Sequence, residues 1–260
     1  MQKQSYPTDV NDEQWAKLEP VLPVLKKRGR PPVDRRVVVN ALLYLVRAGC
    51  SWRLMPKDFG KWQTVCGYFR KWCKNGLLEK INHILRTDVR RSVGKRPQPT
   101  AAILDSQTVR SADHAGERGY DGAKKTKGRK RHVLVDTLGL VLAVCVTPAD
   151  VGERAGAMSF LSKALRCFGW LRCIWADQGY DGQSFASWIA SHRKTGTLRL
   201  EIVSRIFAAG FRLLPRRWIV ERTFGWFVRN RRLVRDYETT TSSAEGWIYL
   251  SMIGLMLRRF

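Results

Sequence analysis

Thr137-Leu138-Gly139 is a three-residue turn between two runs of alternating, largely β-branched residues, RKRHVLVD at 129–136 and LVLAVCVT at 140–147. Such runs around a Gly-containing turn form a β-hairpin, and this one commits the middle of the chain to a sheet. Strand-like segments flank it at 103–109 (ILDSQTV), 172–176 and 200–204. Asp150 and Glu153 read as a D-x-x-E cap for a helix running to Phe168, 183–192 as a second helix, and 218–235 as a long basic one. Three early strands, then helix, strand, helix and a late helix predict a mixed α/β sheet with an antiparallel portion.

Ahead of the polar, Pro-rich stretch SVGKRPQPT (92–100) the periodicity is helical. Residues 1–27 predict a short helix in which Asn11 caps and Gln14 completes a capping box. KKRGRPP (26–32) is a basic Gly/Pro linker, and its RGRP core also has the form of a minor-groove hook. Val38, Leu42, Leu45 and Val46 recur at helical spacing in the next segment, which ends at Ala48-Gly49. After SWRLMPKDFG, residues 61–75 predict a helix with Val65, Phe69 and Trp72 on one face and Lys61, Arg70, Lys71 and Lys74 elsewhere. A third apolar stripe covers 77–86. Helix, short connection, basic helix is the outline of a helix-turn-helix, and equally of a small bundle with a solvated charged face. The expected division is a small all-α, helix-turn-helix-like domain at 1–95 and an α/β domain at 96–260.

Charge tips that balance. Forty-seven Lys and Arg against 22 Asp and Glu leave +25 on 260 residues. A globular chain holds that excess against self-repulsion, so a polyanion is the expected partner, nucleic acid first. An apolar content of 44%, with ten Trp, excludes a disordered basic tail. No run approaches the roughly 18 apolar residues of a spanning helix, and the polar N-terminus lacks the apolar region of a secretory signal. The six cysteines make no CxxC and no zinc-finger spacing with the four histidines. A soluble cytoplasmic protein without a membrane partner is expected.

Neither a GxxxxGKS/T loop nor a GxSxG elbow is present, which leaves carboxylates as the carriers of any chemistry. Asp105 lies inside an apolar strand, where Asp is disfavoured. Asp177 follows a strand, at the end where α/β sheets hold ligands, although a turn-starting Asp is also common there. Glu221 is the only acid in an Arg-rich stretch, 212–235; an exposed ion pair with Arg217 is the plain alternative. Brought together, the three would suit Mg²⁺, a hard cation held by few carboxylates. Paired ions of that kind serve in-line phosphoryl displacement.

ILDSQTVR, GERGYDGAKKTKGRKRHVLVDTLGL, WADQGYDG and RRWIVERTFGWFVRNRRL together resemble the DDE transposases of bacterial insertion sequences, in the subgroup with a small helical N-terminal domain. The resemblance runs over residues 12–237. It implies an RNase H-like core, a mixed sheet flanked by helices, with Asp105 on the first strand, Asp177 after the fourth and Glu221 on the late helix. These would be the catalytic residues and the ligands of two Mg²⁺ ions, for which Mn²⁺ can substitute. It further implies double-stranded DNA as partner, at the terminal inverted repeats and at the target, and a homo-oligomer in the synaptic complex at the nucleoid. The activity implied is strand cleavage and 3′-OH strand transfer; the alternative is a catalytically silent DNA-binding protein or repressor derived from a transposase. The related Tyr-x2-Arg-x3-Glu-x6-Lys pattern matches in part: Arg217 and Glu221 are in place, with Leu214 and Val228 at the Tyr and Lys positions. Arg229, Arg231 and Arg232 are the candidates for the missing cation. Asp136 reads as a turn former, Asp181 as a supporting residue and Asp121 as part of a basic loop.

KKTKGRKR at 124–131 has six basic residues in eight. Lying between two strands, Lys124, Lys125, Lys127, Arg129, Lys130 and Arg131 are expected to contact DNA phosphates, as are Lys61, Arg70, Lys71, Lys74, Arg217, Arg229, Arg231 and Arg232. Trp218, Trp226 and Phe227 read as core.

Overall fold

A computed structural model describes residues 6–24, 33–192, 198–203 and 217–260. The linker and hook at 26–32 lie outside the described residues.

Four helices come first: α1 (Asp12–Leu18), α2 (Arg35–Ala48), α3 (Trp62–Lys74) and α4 (Leu77–Ser92). Asn11 and Gln14 close the expected capping box on α1, Asp34 caps α2, and Gly49 ends α2 in the left-handed region at φ 75°. The strands are β1 (Ala101–Arg110), β2 (Gly119–Asp121), β3 (Thr126–Asp136), β4 (Val141–Pro148), β5 (Cys173–Ala176) and β6 (Arg199–Ile202). Between and after them lie α5 (Glu153–Cys167), α6 (Gln183–Ser191), α7 (Arg217–Val228) and α8 (Thr241–Leu257).

The described strands form one sheet in the order β2-β3-β1-β5-β6, with β4 also on β3. β1, β3 and β4 are antiparallel neighbours, whereas β5 runs parallel to β1 and β6 parallel to β5. That is the mixed sheet expected of an RNase H-like core. Short β2, which the sequence pattern places in a basic loop, makes Asp177 follow the fifth strand of the chain rather than the fourth.

Alternation along the strands sends side chains to two different cores. Ile103, Val133 and Val135 face α1–α4, α7 and α8; Ala102, Leu104 and Leu134 face α5 and α6. Asp136 ends β3 as a turn former, accepting from the Leu138 and Leu140 amides, and in addition ties the hairpin to α4 through Arg90 at 2.7 Å.

The division expected at 95/96 marks where helices give way to strands, but packing runs across it. α8 is apolar all round, the mark of a helix buried on every side. It packs on α2, α3 and α4, with Trp247 stacked on Phe69 at 4.3 Å. The helices before and after the sheet therefore share one core. The long helix expected to reach 235 stops at Val228. Asn230 bonds back to the Trp226 carbonyl, and the chain turns so that Asp236 bridges to Ser111 at the end of β1.

Candidate active site

β1 and β5 pair in register up to Ile103 and Trp175. Asp105 and Asp177 each stand two residues further on, so they are level on neighbouring parallel chains and share the face of Ile103 and Trp175. Ile219, Val220 and Phe227 of α7 pack into the core on that face. Each aspartate is braced locally: Asp105 Oδ1 accepts from the Ser106 amide at 2.7 Å and Asp177 Oδ1 from the Gly179 amide at 3.0 Å. Glu221 lies on the exposed side of α7. The structure thus sets the two aspartates side by side, while Glu221 stands on the exposed side of α7, the helix that packs against β1. Among the described residues, no three His, Cys, Asp or Glu side chains form a group able to hold a metal ion.

Another acid reaches this site. Asp150 does not cap α5; its N-cap is Gly152, and Glu153 opens the helix. Glu153 Oε1 accepts from Ser106 Oγ at 3.1 Å, and Oε2 fills the place that a Cβ on Gly179 would take. Behind these groups Tyr180 is fully buried. Burial first, then Asp105, Glu153 and Asp177, hold its hydroxyl well above the ordinary tyrosine range, against an opposing pull from Ser106. Local sequence explains Glu153 as a helix cap; Gly179, in the turn after Asp177, is the one hint of its second role. Asp181 is exposed, with its carbonyl accepting from Arg154.

The basic residues divide. Lys61, Arg70, Lys71 and Lys74 are exposed on or beside α3, while Val65, Phe69 and Trp72 are buried, as the periodicity predicted. Lys124, Lys125 and Lys127 are also exposed, as are Arg229 and Arg231. Arg129, Lys130 and Arg131 are not in a loop: β3 starts at Thr126 and carries them inward. Arg129 bonds the Glu117 and Glu238 carbonyls and pairs with Asp236; Lys130 reaches the Val151 carbonyl; Arg131 reaches the Leu233 carbonyl. Burial brings the Arg131 guanidinium down to about 10. Arg232 is buried too, on Glu238 at 2.7 Å and over Trp247. Arg129, Arg131 and Arg232 brace the C-terminal segment against the sheet and helices, and Lys130 ties β3 to Val151 and Asp121; all four are buried on partners within the chain, which is not the exposed placement expected of phosphate contacts. The side chain of Arg217 and all of Leu214 lie outside the described residues. Asp121 belongs to β2, where it accepts from Thr108 Oγ1 and the Lys124 amide. Phe227 is core as expected, Trp226 is half-buried, and Trp218 is exposed under Arg222.

Residues 96–257 match a family model described as "Transposase DDE domain". Residues 10–82 match "Putative transposase of IS4/5 family". Among curated relatives, an "Uncharacterized protein y4sN" of Sinorhizobium fredii is 27% identical over 46% of this chain and 86% of its own. An "Insertion element IS402 uncharacterized 16.2 kDa protein" of Burkholderia cepacia is 28% identical over 42% of this chain and 77% of its own. A "Putative transposase for insertion sequence element IS6501" of Brucella ovis is 30% identical over 50% of this chain and 98% of its own.

Proposed function

Since the chain belongs to the transposase DDE domain family, we propose that it binds the terminal inverted repeats of its insertion sequence and catalyses Mg²⁺-dependent strand cleavage and 3′-OH strand transfer. Asp105, Asp177 and Glu221 are its acids. The observation that carries the reading is the level placement of Asp105 and Asp177 beyond the register of β1 and β5, on the face that α7 covers.

The donors at this face are carboxylate oxygens, the chemistry that Mg²⁺ prefers and Mn²⁺ accepts. Bound there, divalent ions would supply charge neutralisation at the scissile phosphate and activation of the attacking oxygen. The chain's own part is positional. The Ser106 and Gly179 amides fix the two aspartates, and a sheet buried on both faces keeps the strands from splaying apart. Lys61, Arg70, Lys71 and Lys74 on and beside α3, with Lys124, Lys125, Lys127, Arg229 and Arg231, hold the DNA backbone. A second copy of the chain holds the other element end.

The test is a purified chain, a duplex bearing the element's terminal repeat, and Mg²⁺. Cleavage at the repeat boundary and joining to a target duplex are expected, and both are lost in Asp177→Asn with end binding retained, because the amide keeps size and polarity but not charge. Sound binding with no cleavage by the parental chain would establish the catalytically silent reading instead.

A further inference from the structure

The C-terminal end of α2 and the residues just after α7 and α8 meet at a cavity of about 510 Å³. Arg47, Arg229 and Arg258 all line it, together with Thr8, Asn230 and Trp226, and no carboxylate is among its lining residues. Arg47 donates to the Arg229 carbonyl, which locks the two segments together. Two further arginines flank the same wall: Arg222 lies 4.9 Å and Arg259 5.2 Å from the Trp226 ring. Burial, and then Arg47, hold the Arg258 guanidinium below its ordinary value. Asp9 lines a smaller adjoining cavity that Arg47 and Arg258 share, and one of its oxygens accepts from the Tyr6 amide. Residues 1–5, 25–32, 193–197 and 204–216 contain no Asp or Glu, so the segments outside the described residues bring no acid to it.

Gathering guanidinium groups around one hollow is unfavourable by itself. Like charges repel, and more strongly beside a protein surface than in open water. An anion seated among them reverses the sign. The planar fork of arginine matches phosphate oxygens in pairs, which makes phosphate the fitting anion.

We propose that the Arg47–Arg229–Arg258 cavity is a binding site for a backbone phosphate of DNA. This rests on the DNA-binding reading above and adds to it a surface separate from the exposed face of α3. Arg47 and Arg258 belong to it although no sequence pattern singles them out, because their convergence depends on how α2, α7 and α8 meet.

The experiment uses the full chain and a short duplex of scrambled sequence, with binding measured across a salt series. Arg258→Gln is the main variant, Arg229→Gln the second, should the first lose its fold in a thermal melt, and Arg258→Lys keeps the charge. Each Gln variant is expected to weaken binding at low salt and to flatten the slope of log K against log salt by about 0.9 for each phosphate it no longer holds. Arg258→Lys should keep the parental slope. Parental slopes in folded Gln variants would overturn the proposal and leave the wider DNA-binding reading intact. A parental chain that binds no duplex would overturn both. Inorganic phosphate is the separate arm: if it raises the melting temperature of the parent but not of Arg258→Gln, while the duplex slopes coincide, the cavity holds free phosphate and the assignment to DNA is wrong.

Discussion

The Glu153 carboxylate occupies the space that any side chain on Gly179 would need, with Oε2 standing at the Cβ position. The obstruction is the far end of a flexible side chain, so an added methyl moves the carboxylate and not the backbone. Gly179→Ala should therefore break the bond that Glu153 accepts from Ser106, at a cost of about 1 kcal/mol. Glu153→Gln removes the charge while keeping the size. Both variants should bind end DNA normally and cleave it slowly, and the double variant should be no worse than either single one, as for residues acting through one interaction. Cleavage rates and melting temperatures of the three check this; additive losses would mean that Gly179 serves the backbone turn instead.

The basic run at 124–131 is two sets of residues with opposite phenotypes. Replacing Lys124, Lys125 and Lys127 with Ala should leave the melt unchanged and lower the salt slope for duplex binding by about 2.7 if all three reach phosphates. Replacing Arg129 alone should destabilise by about 3–5 kcal/mol, because Asp236 stays buried without its partner. Urea unfolding and a salt titration on the same preparations separate the two. A stable Arg129→Ala chain with a flattened slope would reverse the assignment.

These residues also show what a sequence exposes. The apolar opening of the strand that carries Asp105 and the apolar strand ahead of Asp177 are local signals, and they locate the first aspartate on the sheet and the second just past a strand end. The burial of Arg129 and Arg131 is not local. Their acceptors, Asp236, the Glu238 carbonyl and the Leu233 carbonyl, come from a segment about a hundred positions away, so the run reads as an exposed loop. Glu153 is hidden for the same reason: one turn of helix explains it as a cap, and only the packing of α5 on β1 and the turn after β5 gives it Ser106 and Gly179. The end of α7 is misplaced by pattern alone because Arg-rich sequence after Val228 keeps helical composition while the chain turns to join β1.

His132 sets an acid limit on stability. It is fully buried on β3, beside Thr147 Oγ1 at 3.0 Å, and burial first, then Lys130 and Lys124, lower its pKa from 6.5 to about 4. The unfolded chain takes up a proton below pH 6.5 that the folded chain refuses until about pH 4. Its contribution is thus complete above pH 6.5 and fades as the pH falls to about 4, by about 3 kcal/mol in all. Denaturant unfolding at pH 7 and pH 5 should show about 2 kcal/mol of that loss, and a folded His132→Gln variant should show less of it. Equal pH dependence in the two chains would assign the acid sensitivity to other groups.

The helices ahead of the sheet should not fold when cut away from it. α2, α3 and α4 surround α8, and Trp247 of α8 sits against Phe69 at 4.3 Å and Trp52 at 5.5 Å, with no exposed surface of its own. A fragment ending at residue 95 keeps Val38, Leu42, Val65 and Phe69 but loses the helix that fills the space between them. Removing one large buried side chain already costs about 3–5 kcal/mol, and small domains hold only about 5–15 kcal/mol in total. The fragment is expected to show helical far-ultraviolet signal without a cooperative melt, and no preference for the element end over a scrambled duplex. The full chain should show both the melt and the preference, since α8 holds α3 in place while its Lys and Arg side chains stay exposed. A fragment that melts cooperatively and still selects the end duplex would show that α8 is dispensable for recognition, and that the two units divide where the helices end.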